Sequence, residues 1–376
     1  MLVFNKLIPA ILASLLFAAC SAGAEVAPVF PGRAWKQKPP AELHLDAEKL
    51  RAFSEFVGGR GCVIRKGYLA YSWGDIARRA DVASACKPVF SHLLLKAIED
   101  GRLSGVDEPV VQHEPRLGQI NAELGYPDRR ITWRQMANQT SCYQLIESPG
   151  AAFAYNDWQM ALLFDTLFLR VYGATYDNVD EDVLRPLLTE PLECEDAPTL
   201  TAFGAGDRAG RLAISVRDFA RFGLLYLRHG DWNGRQLISR EHARLAVTSP
   251  LPNSLPRAGQ QAAEMIASQR SLGSRARPDN QTDHFGSYSW LWWINGVDRE
   301  GVRMWPDAPP DTFGAFGHGG PRAMWAIPSL DVVVSYNDAN LDGWHPGDSP
   351  TNRAMKLIVA ACADADSRDV ETGGEP

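Results

Sequence analysis

The stretch Ser84-Ala85-Cys86-Lys87-Pro88-Val89-Phe90-Ser91-His92-Leu93-Leu94-Leu95-Lys96-Ala97-Ile98 decides how the chain is read. Val89, Phe90, Leu93, Leu94, Ala97 and Ile98 recur at helical spacing and leave little polar surface, which predicts a helix buried through the middle of the fold. Proline lacks an N–H and is tolerated only in a helix's first turn, so Pro88 sets the start at Ser84 or Ala85. Ser84 and Lys87 then face the same side, roughly 60° apart around the axis, within contact of each other. Burial in a cleft and the positive helix N-terminus both disfavour an ammonium, so Lys87 is expected to lie below the free-lysine pKa of about 10.4 and to serve as the base that activates Ser84. Cys86 points roughly 160° away from Ser84 and reads as core. A serine three before a lysine arises by chance about once in a chain of ordinary composition. The pair gains weight from its place at a helix start and because no other lysine of the chain has a serine three before it.

Working outward, an amphipathic helix is predicted over 45–56, then strands over 62–64 and 68–73 joined by a turn at Lys66-Gly67. Further helices are expected over 133–137, 158–171, 180–188 and 216–229. Strands return over 288–294, 302–305, 324–327 and 332–336, and a last helix over 355–363. The segment 251–283, rich in Pro, Ser, Gln and Arg, reads as an irregular surface excursion. Strands at both ends with helices between imply an α+β fold. One sheet lobe is built from 42–83 and 265–366, a helical lobe from 84–264, and a cleft lies between them.

The 376 residues and 45% hydrophobic content support a sizeable core, and a formal charge of −7 with no basic run argues against a nucleic-acid partner. Lys6, the apolar run 7–19 and the small residues after it read as an export signal. Two processing sites compete: cleavage at Ala22-Gly23-Ala24, giving a signal peptide 1–24, or a lipoprotein box Phe17-Ala18-Ala19-Cys20 with a lipid anchor on Cys20. Either places the protein in the periplasm or cell envelope. Pro28, Pro31, Pro39 and Pro40 suggest an extended leader over 25–41, and the polar residues 367–376 a loose tail. Cys62, Cys86, Cys142, Cys194 and Cys362 are odd in number, so at least one thiol is free; Cys142 with Cys194 is the first candidate bridge. Their spacing fits no metal site, and no cofactor is expected.

Two more segments carry chemistry. In Tyr155-Asn156-Asp157, before an apolar helix, a phenol can relay a proton between nucleophile, lysine and leaving group, although a tyrosine there also packs and Asp157 also serves as an N-cap for a helix at Trp158. Gly317-His318-Gly319-Gly320, before the strand at Met324, lets substrate approach the backbone and offers N–H groups to an oxyanion. A plain turn is the alternative.

In this order Ser84-Ala85-Cys86-Lys87, Tyr155-Asn156-Asp157 and His318-Gly319-Gly320 resemble the three motifs of the penicillin-recognising serine hydrolases: Ser-x-x-Lys, Tyr-x-Asn and Lys-Thr-Gly or its His variants. The stretches Ile131-Thr132-Trp133-Arg134-Gln135 and Asp218-Phe219-Ala220-Arg221-Phe222-Gly223 extend the likeness to the class C, esterase and 6-aminohexanoate-dimer-hydrolase branch, over roughly residues 42–365. The resemblance implies a β-lactamase/transpeptidase-like fold. It also implies acylation of Ser84 with Lys87 and Tyr155 handling protons, and a substrate and oxyanion site at Ser84, Asp157, His318, Gly319 and Gly320. The expected activity is hydrolysis of a small ester or amide, with D-amino-acid peptidase and true β-lactamase as further members of the class. The alternative is an envelope binding protein that kept the cleft and lost turnover. Three departures bear on this: Asp157 stands for Asn, His318 for a carboxylate-binding lysine, and Pro321, without an N–H, follows Gly320.

Overall fold

The computed structural model describes residues 27–202 and 208–371. The export signal and Cys20 lie outside them.

β1 (Arg60–Arg65) and β2 (Tyr68–Trp73) form the expected hairpin, closed at Lys66 and Gly67 with φ of 52° and 81°. Two positive φ values in a two-residue loop match the right-handed twist of the flanking strands. β3 (Ala80–Asp81), β4 (Thr199–Ala202) and β5 (Arg211–Ile214) make a small sheet of order β3-β5-β4 beside the cleft. β6 (Asp231–Trp232) and β7 (Arg235–Gln236) are a short ribbon. β8 (Tyr288–Ser289), β9 (Trp292–Ile294), β10 (Phe313–Gly317), β11 (Arg322–Ile327) and β12 (Val332–Asn337) complete a seven-stranded antiparallel sheet of order β2-β1-β12-β11-β10-β9-β8. The pairing of β1 with β12 joins the two ends of the chain, and the fold is α+β as the pattern of elements predicted.

The principal helices are α1 (Ala47–Val57), α2 (Lys87–Glu99), α3 (Trp133–Ala137), α4 (Asp157–Phe164), α5 (Val216–Leu227), α6 (Arg240–Thr248) and α7 (Pro350–Glu371). Alternation along β11 assigns the faces of the sheet: Trp325 meets Phe53 of α1 at 6.4 Å between ring centroids. Met324, one residue earlier and so on the other face, meets α5. There Gly223 is required, because a Cβ would fall 2.5 Å from Met324 Sδ and 2.6 Å from Val333 Cγ1. α5 thus packs on the sheet although it belongs by position to the stretch read as the helical lobe. The apolar face of a helix goes where a partner surface admits close approach, which chain order does not specify.

Other expectations are corrected. The run 288–294 is two strands, turned at Trp290 and Leu291, which have φ of 48° and 69°. Residues 302–305 make only an isolated bridge at Arg303. The leader is extended but docked: Phe30 and Trp35 are buried, Trp35 Nε1 donates to Arg217 O at 3.1 Å, and Arg221 Nη1 donates to Gly32 O at 2.9 Å. α7 runs on to Glu371, past the point where the polar tail was expected to begin. Cys142 and Cys194 form no bridge, and no disulfide joins any of the cysteines among the described residues. The Cys142 thiol, buried in a small cluster with Leu145, Ala152, Ala154 and Ala258, instead donates to Ala152 O at 3.4 Å.

Candidate active site

Ser84 is delivered by a strained turn. Asp81, at the end of β3, accepts the Ala83 N–H on Oδ1 at 2.8 Å, and Ala83 is held at a left-handed φ of 52°. That conformation costs a residue with a Cβ on the order of 1 kcal/mol and persists only where the surroundings impose it. A 3-10 turn, Ala83–Cys86, then precedes α2. Residues three apart nearly eclipse in such a turn, and Lys87 Nζ donates to Ser84 Oγ at 2.8 Å. Ser84 is half-buried, while Lys87 is 2% exposed.

Besides Ser84, two groups lie against that ammonium. Asp157 Oδ1 lies 3.4 Å away, and the Tyr155 ring centroid is 4.4 Å from Nζ. Burial opposes the Lys87 charge, but Tyr155 and Asp157 outweigh it and hold the lysine above its ordinary pKa. This reverses the sequence expectation of a lowered lysine. The helix-start argument counted desolvation and dipole; it could not see a carboxylate folded back from 70 residues away. Asp157 is held below the usual carboxylate range: burial would raise it, but Lys87 and the Ser274 N–H, which donates to Oδ2 at 2.9 Å, prevail.

Asp157 is free for this role because it is not the cap of α4. Asn156 is, accepting from the N–H groups of Trp158 at 2.8 Å and Gln159 at 3.0 Å. Asp157 is the first helical residue, and its own N–H is met by Asp279 Oδ2 at 2.7 Å. Tyr155, 6% exposed, stacks on Trp293 with centroids 6.1 Å apart. Cys86 is buried with its thiol pushed up to about 11 by desolvation, consistent with a core role.

The glycine turn closes the other side. β10 ends at Gly317, where a Cβ would fall 2.3 Å from Val82 O, so the strand backbone lies directly against the turn that carries Ser84. His318 and Gly319 follow at φ of 53° and 75°. The Gly320 N–H is spent on Gly317 O at 3.2 Å, and Pro321 offers only a carbonyl, which accepts from Ala339 N at 3.0 Å. Gly320 is therefore engaged in the turn and does not present its N–H to the cleft. The N–H groups of Ser84, His318 and Gly319, by contrast, have no backbone partner among the described residues. The His318 ring is exposed at the cleft mouth, and partial desolvation with Arg322 and Arg211 nearby lowers its pKa, leaving it neutral at neutral pH.

The cleft has two lobes that meet at Ser84, Gln281 and His318. A polar lobe of about 250 Å³ includes Lys87, Asp157, Arg211 and Ser274. An aromatic lobe of about 310 Å³ includes Tyr155, Trp293, Phe316 and Trp344. Trp344 lies 5.0 Å from Trp293 and 4.7 Å from Phe316, between centroids. Arg211, Gln281, Ser274 and this aromatic wall escaped the sequence reading. The segment 251–283, read as plain surface, is instead tied to the motif region: Gln281 N donates to Tyr155 O at 3.0 Å and Ala258 N to Phe153 O at 2.8 Å. Among the described residues no group of three or more His, Cys, Asp or Glu side chains is placed to hold a metal ion.

A family model for beta-lactamase matches residues 50–360. The chain belongs to the beta-lactamase family. Solved structures with the same fold include a penicillin-binding protein homolog from Caulobacter crescentus, at 16% identity and TM-score 0.57, covering 87% of this chain and 98% of that one. A beta-lactamase from Mycobacterium bovis is similar at 19% identity and TM-score 0.54, covering 84% and 99%. EstCE1, a hydrolase with promiscuous acyltransferase activity, aligns at 13% identity and TM-score 0.55, covering 86% and 99%. No curated protein sequence matches this member of the beta-lactamase family. The three motif segments fall within the matched span, and the fold is that of a hydrolase family.

Proposed function

We propose that this protein is a serine hydrolase that forms an acyl-enzyme on Ser84 and cleaves a small ester or amide. The observation that carries the reading is the Lys87 Nζ to Ser84 Oγ hydrogen bond of 2.8 Å at the junction of the two lobes of the cleft. Ser84 Oγ attacks the carbonyl carbon, and its proton passes through the Lys87–Tyr155 pair to the departing oxygen or nitrogen. Water then enters by the same route, the acid is released and Ser84 regains its proton. Lys87, held as an ammonium by Asp157 and Tyr155, acts in the resting site as an electrostatic partner of Oγ, not as a free base. The oxyanion is met by the N–H of Ser84 and by that of His318 or Gly319, which takes the place left by Gly320 and Pro321.

A neutral His318 favours esterase or amidase chemistry over a true β-lactamase, since it supplies no permanent charge for a carboxylate on the leaving-group side. Export by the segment 1–24, with or without lipid on Cys20, would place this activity in the cell envelope. The second reading, a binding protein without turnover, draws on Pro321 and on the protonated Lys87. Intact-mass measurement after treatment with a fluorophosphonate and with a penicillin separates the two. A covalent adduct on Ser84 is expected with the fluorophosphonate, and no adduct with either reagent overturns the hydrolase reading.

A further inference from the structure

The two lobes of the cleft divide the substrate. A general acid must reach the leaving group, and Tyr155 borders only the aromatic lobe, so that lobe holds the leaving group and the polar lobe holds the acyl group. Around the polar lobe the carboxylates are already engaged. Asp157 receives Lys87 on Oδ1 and Ser274 N on Oδ2. Asp81 receives Ala83 N, Arg211 and Arg322. Arg211 borders this lobe, its side chain 13% exposed, and spends Nε and Nη2 on Asp81; Nη1 has no partner among the described residues. Two guanidinium groups share one carboxylate, and the lobe holds a donor for which the described residues supply no acceptor.

We propose that Arg211 anchors the acyl side of the substrate: the acyl chain ends in an anionic, carboxylate-type group that Arg211 Nη1 meets, while the leaving group packs among Trp293, Phe316 and Trp344. This rests on the acyl-enzyme reading and adds to it the substrate class, a monoester or monoamide of a short dicarboxylic acid. Arg211 is delivered by β5, the middle strand of the small sheet, so the anchor belongs to none of the three motifs. A charge-assisted bond of this kind is worth about 10- to 100-fold in selectivity when partly buried.

The test uses the full chain and 4-nitrophenyl esters of succinic and glutaric acid, each beside the counterpart in which an amide replaces the free carboxylate. Wild type is expected to prefer at least one acid over its amide by about tenfold or more in kcat/KM. The preference should collapse toward unity in Arg211→Gln and survive in part in Arg211→Lys. Because Arg211 also braces Asp81, the acid-to-amide ratio in wild type stands as evidence even if the Gln variant folds poorly. Equal cleavage of acids and amides by wild type, or an unchanged ratio in Arg211→Gln, overturns the assignment and leaves the hydrolase intact. Failure to cleave any ester, with no fluorophosphonate adduct on Ser84, overturns both.

Discussion

The two walls of the cleft achieve order by different means. The helix-borne wall, with Ser84, Lys87 and Asp157, is held by charge: a buried lysine, a carboxylate and backbone donors satisfy one another, and each shifts the titration of its neighbour. The strand-borne wall, with Gly317, His318, Trp293 and Trp344, is held by shape: a strand end too close for a Cβ, left-handed turn residues and edge-to-face rings. Charge acts on the reacting atoms and depends on pH; shape acts on where the substrate sits. Variants on the first wall should therefore alter kcat and pH dependence, and those on the second chiefly KM.

The largest effect is expected at the junction. Ser84→Ala should reduce turnover of a short-chain aryl ester by about 10³-fold or more and abolish the fluorophosphonate adduct, and retained turnover would dismantle the account of both walls.

Next comes Asp157→Asn, which removes the partner of a buried charge and should lower stability by about 3 kcal/mol in thermal or urea melts. Its pH signature is specific. Asp157 titrates below its ordinary range and Lys87 above, so the pair's contribution is complete between about pH 4 and about pH 10. It falls on the acid side as Asp157 gains a proton and on the alkaline side as Lys87 loses one. With Asn at 157, Lys87 loses one of the groups that favour its charge, and the alkaline limb of kcat/KM should move to lower pH. A profile that stays in place would mean that the charged wall is not set by this pair.

A smaller change is expected on the wall of rings. Trp344→Ala should raise KM for a bulky aryl ester about tenfold, from roughly 1.4 kcal/mol of lost apolar contact, with kcat altered less. An equal fall in kcat and kcat/KM would show that the ring acts on the transition state and blur the distinction between the walls.

An effect of similar size lies outside the cleft, at a buried carboxylate with no ion pair among the described residues. Asp128, 4% exposed, accepts from Asn121 Nδ2 at 2.7 Å, and burial lifts its pKa to about 6. Its unfolded value is about 3.9, so the folded protein binds the extra proton, and this group's support for the fold declines as pH rises through the folded value. Asp128→Asn should therefore stabilise the protein at pH 8 by on the order of 2 kcal/mol and change little at pH 4, read from denaturant midpoints. Set beside Asp157, it isolates what a neighbouring ammonium does to a buried acid.

Much of the frame was legible in the chain. Apolar periodicity located α2, and short apolar runs located β1, β2, β11 and β12: β1 and β12 are buried along their whole length, β11 in all but its first residue, and β2 at Leu69 and Ala70. The strand nearest the chemistry was not legible. Phe313-Gly314-Ala315-Phe316-Gly317 is rich in glycine, and glycine weakens any local strand signal; here it is used because Trp325 and Val82 come too close for a side chain. Asn156 and Asp157 are both short polar residues before a helix, and local pattern does not say which one caps. Arg211, Trp293 and Trp344 left no mark either, since an arginine on a short strand, a tryptophan in an apolar run and a tryptophan in a polar loop look the same wherever they point.

By itself the sequence determined four strands of the sheet, β1, β2, β11 and β12, the helix that follows Ser84 and the order of the three motif segments, because periodicity and proline chemistry act over a few residues. Tertiary structure alone decided that Lys87 is an ammonium, that Gly320 is spent on its own turn, and that one side of Ser84 is charged while the other is aromatic. Each of these depends on groups brought within a few ångströms from distant parts of the chain, and the energy of a charge or a ring contact is set by that distance and by the water excluded around it, not by neighbours in sequence.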